Sequence, residues 1–294
     1  MPELPDLTVY LDALASRISG EPLRGIRIAN PFVLRSVDPT PEQLVGLGVT
    51  GFQRLGKRLV INLEDDCFIV IHLMIAGRLR WRDPGAKLPG RLGLAGFDFD
   101  PGTLVLTEAS QKHRASVHLV RGRATLRSFD PGGKEFAGLS LEGFVAALSQ
   151  ENHTLKRALT DQRFIAGIGN AYSDEILHRA RLSPMRQVRQ LSEAQWQALY
   201  LACGEVLAEW TARLRREAGD AFPEKVTAFH AEMAVHGRYR SPCPDCGKPV
   251  QRIRYATNEC NYCAVCQNQG NLLADRALSR LLKKDWPRRL EDLD

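Results

Sequence analysis

The chain of 294 residues has no apolar run long enough to cross a bilayer; its longest, CFIVIHLMIAG, is broken by His72, and a spanning helix needs about 20 apolar residues. It also lacks the opening of a secretory leader, because charge begins at Glu3 and Asp6, so a protein that is not secreted is expected. There is no internal repeat and no low-complexity tract. Hydrophobic residues make up 44%, which argues against global disorder. A disulfide framework is absent too. Of seven cysteines, five fall between Cys243 and Cys266 in CxxC pairs, a pattern that speaks for metal.

What is present starts with length enough for two domains. Lys and Arg exceed Asp and Glu by 40 to 34, a net charge of +6. That is a mild bias toward polyanions, shared by many globular proteins. PDLTVYLDALASRISG reads as a helix, with Pro5 in its first turn, Leu7, Tyr10 or Leu11, Leu14 and Ile18 at helical spacing, and Gly20 as the stop. From about 21 to 130 the pattern is of strands. RLVINLEDDCFIVIHLMIAGRLRW reads as two β-rich runs around a LEDD turn, FDFDPGTLVLTEA as a hairpin, and ASVHLVRG as a further strand. Past about 140 the texture is helical. NLLADRALSRLLKKDW reads as a closing amphipathic helix, with Leu272, Leu273, Ala277, Leu278, Leu281 and Leu282 on one side.

Two motifs carry chemistry. The cysteines read C-x2-C-x16-C-x2-C through Cys243, Cys246, Cys263 and Cys266. Two such turns make a tetrahedral S4 cage, with no open position, that suits one structural Zn2+. Iron in a rubredoxin-like site and unmetallated thiols are the alternatives, and Cys260 with Cys263 is a competing pair. Gln267 favours Cys263 with Cys266, since the chain then leaves the knuckle cleanly. Cys67 and Cys203 read as small buried hydrophobes. HTLKRALTDQRFIAGIGNAYSDEILHRARLSP has two helices around a Gly167–Gly169 turn. Such a turn either lets a helix N-terminus approach an anion or simply joins two helices. No strand precedes it, which disfavours a dinucleotide site.

MPELPD at the terminus, GKRLVI with Lys57, HLMIAGRL, the glycine segment and the C-x2-C-x16-C-x2-CQ ending stand in one order. In that order they resemble the formamidopyrimidine-DNA glycosylase / endonuclease VIII family of base-excision repair, over residues 1–267. The resemblance implies an α+β, multidomain fold. An N-terminal antiparallel β-sandwich with flanking helices spans 1–135, a helix–two-turns–helix DNA-binding domain 140–235, a zinc-finger β-hairpin 236–270 and a helical tail 271–294. It implies two lobes with DNA in a cleft, a monomeric cytoplasmic enzyme that visits the nucleoid, and double-stranded DNA with a damaged or abasic site as partner.

The resemblance also assigns roles. With Met1 removed, Pro2 offers a secondary amine that titrates near pH 8, attacks C1′ and forms an iminium. Glu3 matches the general acid and Lys57 the β-strand lysine on a phosphate near the lesion. Lys156 and Asn170 match backbone-phosphate contacts. Taken alone, Glu3 could be a first-turn charge facing the helix dipole and Lys57 a solvated strand charge.

Departures from the family pattern bear on substrate. Asp6 replaces a glutamate, and the methionine that fills the void left by an everted base becomes Ile75, or a shifted Met74. The opposite-base wedge becomes His113 and Arg114 without a phenylalanine, and a phosphate-contacting histidine aligns loosely with Arg91. The finger arginine, five residues before the third ligand cysteine, is Asn258. Asn258 in that place implies β-elimination without efficient δ-elimination. AFPEKVTAFHAEMAVHGRY is shorter than the lid segment of 8-oxoguanine-specific members, which leans toward oxidised pyrimidines, ring-opened purines or abasic sites. The alternative is a paralogue that binds damaged or abasic DNA with little or no catalysis.

Overall fold

A computed structural model describes residues 1–110, 112–224, 226, 229–255 and 258–293. The chain divides into two compact units, one of residues 1–131 and 210–227, the other of 132–209 and 228–294. The division at 131 falls close to the boundary read from the sequence. The return of 210–227 to the first unit is new, and it follows from the length of one helix.

In the first unit, α1 (Leu4–Ile18) precedes eight strands: β1 (Gly25–Ile28), β2 (Val49–Leu55), β3 (Arg58–Leu63), β4 (Cys67–His72), β5 (Gly77–Arg82), β6 (Gly93–Phe99), β7 (Gly102–Glu108) and β8 (Ser116–Arg121), then the short α2 (Arg123–Arg127). They form two antiparallel sheets, ordered β1-β6-β7-β5 and β2-β3-β4-β8. One apolar core takes Leu59 and Ile61 from one sheet, Phe97 and Leu104 from the other, and Leu7, Tyr10, Leu14 and Ile18 from α1. The opposite side of β3 and β4 is also buried: Val60, Phe68 and Val70 pack with Val120 under Leu126. Burial on both faces explains why these strands read as continuous apolar runs rather than alternating ones. It also hid a strand boundary. The stretch expected to hold two runs contains three strands, because the turn between β4 and β5 is itself apolar.

The second unit holds α3 (Leu141–Leu148), α4 (Leu155–Thr160), α5 (Asn170–Arg179) and most of α6 (Glu193–Ala218). The hairpin of β9 (Gln251–Arg254) and β10 (Glu259–Tyr262) follows, then α7 (Ala264–Asn268) and α8 (Arg276–Leu282). The tail departs from its expectation. α8 is short, and Leu281 and Leu282 are exposed, at 76% and 40%. Leu272 and Leu273 instead pack on the hairpin; the side chains of 277 and 278 lie outside the described residues. A left-handed Lys283, φ 49°, ends the helix.

Candidate active site and metal centre

The chain terminus is folded in. Pro2 is buried and Glu3 only 2% exposed, at the N-cap of α1. The Glu3 N–H donates to Asp6 Oδ2 at 2.8 Å, half of a capping box that fixes the first turn. Pro5 sits in that turn, where a missing N–H costs nothing. Burial lowers the pKa of the terminal amine at Met1; Glu3 pushes it up, and Arg78, with Lys57 behind it, pushes it down.

Lys57 is thus near the terminus, but not on a strand as expected. It follows Gly56 in the two-residue turn that joins β2 to β3, closed by the pair Leu55 and Arg58. Gly56 takes a positive φ of 57° there, a conformation common in tight hairpins.

Asp6 and Arg78 were not among the expected site residues. Asp6 is 1% exposed. Burial raises its pKa to about 7, and its Oδ1 has no hydrogen-bond partner. It lines a cavity of about 330 Å3, otherwise walled chiefly by Val9, Leu214, Phe222, Pro223 and Val226. Phe222 is held by Tyr10 and Trp81, with ring centroids at 5.7 and 6.3 Å. The substitution at position 6 was visible in the sequence; its unsatisfied oxygen was not. Residues 225, 227 and 228 of the shortened lid segment lie outside the described residues.

The turn between β4 and β5 carries both candidate void-filling residues. Met74 is half-buried at a positive φ of 52°, while Ile75 is 55% exposed at the tip. Gly77 closes the turn by donating to the Leu73 carbonyl at 2.9 Å. A Cβ there would stand 2.2 Å from that oxygen, so only glycine fits. Arg78 braces the tip from behind, donating to the Ile75 carbonyl at 3.1 Å.

Elsewhere in this unit, Arg91 is exposed on a 3-10 turn, Gly90–Leu92. His113 and exposed Arg114 lie in the loop from β7 to β8. His113 has φ 38°, and its Nδ1 stands 3.3 Å from Asn30 Nδ2.

In the second unit, α4 and α5 flank the glycine turn. Gln162 braces it by accepting from Gly167 N at 2.8 Å and donating to Ile168 O at 2.7 Å. Asn170 opens α5, and its Nδ2 donates to Glu259 O at 2.8 Å, beside exposed Asn258. Lys156, expected at phosphate, is 8% exposed. Its ammonium reaches Asn170 O at 2.6 Å and Asp174 Oδ1 at 2.5 Å. Charge pairing has drawn it inward, so it holds Asn170 rather than standing at the surface. Asp174 Oδ2 accepts from Asn261 N at 3.1 Å and meets His236 Nδ1 at 2.7 Å. Glu175 accepts the N–H groups of Ala234, Val235 and His236, all at 2.7 to 2.9 Å.

The sulfurs of Cys243, Cys246, Cys263 and Cys266 lie within 4.8 Å of one another. Cys243 to Cys266 is 3.9 Å and Cys246 to Cys263 3.4 Å. All seven cysteines are free thiols. A tetrahedron of thiolates about 2.3 Å from one ion has edges near this length, so the four residues fit a metal. Cys260 is not part of the cluster; it packs with Ile253, Tyr262 and Ala264, and burial pushes its thiol pKa well up. Among the described residues no helix is long and apolar enough to cross a membrane.

A two-sheet sandwich with its N-terminal residues folded in, joined in sequence to a glycine-turn helix pair and a four-cysteine hairpin, makes an α+β, multidomain protein. Comparison specifies the family. Residues 1–130 match the formamidopyrimidine-DNA glycosylase N-terminal domain, and residues 130–215 the formamidopyrimidine-DNA glycosylase H2TH domain. Formamidopyrimidine-DNA glycosylase of Desulforamulus reducens is 31% identical over 285 residues, 91% of this chain and 99% of that protein. That of Thermus thermophilus is 32% identical over 280 residues, 92% of this chain and all of the other. The wild-type Lactococcus lactis Fpg (MutM), solved with N7-benzyl-Fapy-dG DNA, superposes with TM-score 0.79 at 25% identity, over 91% of this chain and 100% of that one. The chain belongs to the formamidopyrimidine-DNA glycosylase family of base-excision repair enzymes.

Proposed function

We propose that the protein is a bifunctional glycosylase and abasic-site lyase on double-stranded DNA, working in the cytoplasm on the nucleoid. The observation that carries this reading is the folded-in terminus, where Pro2 and Glu3 are buried side by side at the start of α1. With Met1 removed, the Pro2 nitrogen forms a bond to C1′ as the bond from C1′ to the base breaks. The departing base takes up the proton that the Pro2 nitrogen gives up, and protonated Glu3 supplies the proton that lets the sugar ring open to the iminium. The cation acidifies C2′; the Glu3 carboxylate so formed takes that proton as C3′–O breaks, and the 3′ strand leaves with its 5′-phosphate. Lys57 and Arg78, both positive toward the terminus, supply charge for the phosphate flanking the lesion.

The cavity at Asp6 supports the choice of base. A carboxyl that is half protonated near neutral pH can donate to a carbonyl oxygen. Oxidised pyrimidines and ring-opened purines present such oxygens. Ile75, apolar and exposed, suits the void an everted base leaves. Arg91, His113 and Arg114 serve the duplex around the lesion, and Asn170 grips phosphate with Lys156 behind it. One zinc ion, held by Cys243, Cys246, Cys263 and Cys266, supplies structure to the finger and takes no part in the reaction.

Asn258 favours a second reading, a binder with weak chemistry, since it brings no charge to the finger. Borohydride trapping on an abasic duplex separates the two. The expected outcome is a covalent adduct that Pro2→Gly abolishes with metal retained, and β-elimination ends on the gel. Tight, salt-sensitive binding with no adduct would favour the binder.

A further inference from the structure

The finger is not held by its four sulfurs alone. His178, in the last turn of α5, is 4% exposed. Its Nε2 stands 3.2 Å from Cys243 Sγ, a residue 65 positions away. The same nitrogen is 4.0 Å from Asp245 Oδ2, and His178, Asp245 and Cys266 form a second close group. Two geometries could follow: an imidazole that replaces a sulfur on the metal, or one that donates to a metal-bound sulfur.

The four cysteines already supply a complete tetrahedron, and two of their edges match it at 3.9 and 3.4 Å. His178 lies at hydrogen-bonding distance from one corner. A thiolate on zinc can only accept, and a neutral imidazole has one N–H to give. We infer that His178 is a positioning residue of the zinc finger, donating Nε2–H to the Cys243 thiolate and so fastening the finger to α5. The inference rests on the zinc reading above.

The donor withdraws electron density from Cys243. A thiolate so engaged is a poorer base and a poorer nucleophile toward peroxide, so the metal leaves more slowly. Partners of this kind commonly govern metal affinity by about 10–100-fold. Asp245 plays a lesser part; at 39% side-chain exposure it is shared with Arg181, also at 4.0 Å.

The test uses the full chain loaded with cobalt(II) and, separately, with zinc. In His178→Phe the sulfur-to-cobalt charge-transfer band should move to longer wavelength. Zinc release to excess chelator should quicken about tenfold or more. His178→Gln, which retains an N–H donor, should restore part of both and covers the case in which the phenylalanine variant does not fold. An unchanged band and release rate in the variants overturn the inference while leaving zinc in place. A ligand-field spectrum of one nitrogen and three sulfurs in the wild type also overturns it, since His178 would then be a ligand. A wild-type protein that takes up no stoichiometric cobalt or zinc would instead sink the zinc reading and this inference with it.

Discussion

The two units treat their buried acids differently. In the first, Asp6 lies buried on the wall of a largely apolar cavity with one of its oxygens unpartnered. In the second, Asp174 spends both oxygens on Lys156, His236 and a backbone N–H, and Glu175 accepts three backbone N–H groups. A half-satisfied carboxyl beside a terminal amine is a costly arrangement that stability alone does not explain. A fully satisfied one is a structural joint. The sandwich can carry the first because its core is extensive; the helical unit, with a small finger to hold, needs the second.

The largest effect that would break this contrast is at Asp174. Asp174→Ala strands the Lys156 ammonium inside the unit and should cost about 3–5 kcal/mol, read by urea unfolding. A loss under about 1 kcal/mol would put the two acids on the same footing. Asp6→Asn should behave oppositely. The carboxyl titrates near 7 in the folded chain against 3.8 unfolded, so its stabilising contribution is complete below pH 4 and is lost as pH climbs to 7. The amide can still accept from Glu3 N and lacks that slope. Measured against wild type, the variant should therefore stand on the order of a few kcal/mol better at pH 7 than at pH 4, while the limb of the base-removal profile near pH 7 disappears. The smallest effect separates the two apolar residues of the β4–β5 turn. Ile75→Ala should slow base removal from duplex about tenfold while leaving cleavage of a preformed abasic site nearly intact. Met74→Ala should do less, and the reverse ranking would make Met74 the plug.

Much of this was open to sequence reading, for physical reasons. The cysteine spacing marks the cluster because ligand geometry is local. The β6–β7 hairpin, whose end pair is Phe99 and Gly102, is announced by Asp-Pro-Gly. Lys57 reads as a strand lysine but lies in the β2–β3 turn, since one residue decides between them. What stayed hidden depends on distance along the chain. His178 reads as a helix-end histidine until Cys243 folds against it. Lys156 reads as a surface cation until Asp174, eighteen residues on, draws it in. The orphaned oxygen of Asp6 follows only from what surrounds it, and no local pattern encodes that. The tail helix reads longer than it is because apolar spacing begins at Leu272, ahead of the start of α8 at Arg276, and Leu272 and Leu273 pack on the hairpin instead.

Glu175 has one more consequence. By clasping the main chain at 234–236, it anchors the entry to the finger from a helix that owes nothing to the ion. Stripping the metal should therefore unravel the segment downstream of that clasp, α7 included, leaving α3 to α6 intact. A protease would cut within that segment, and reloading would begin from a tethered hairpin rather than from a loose chain.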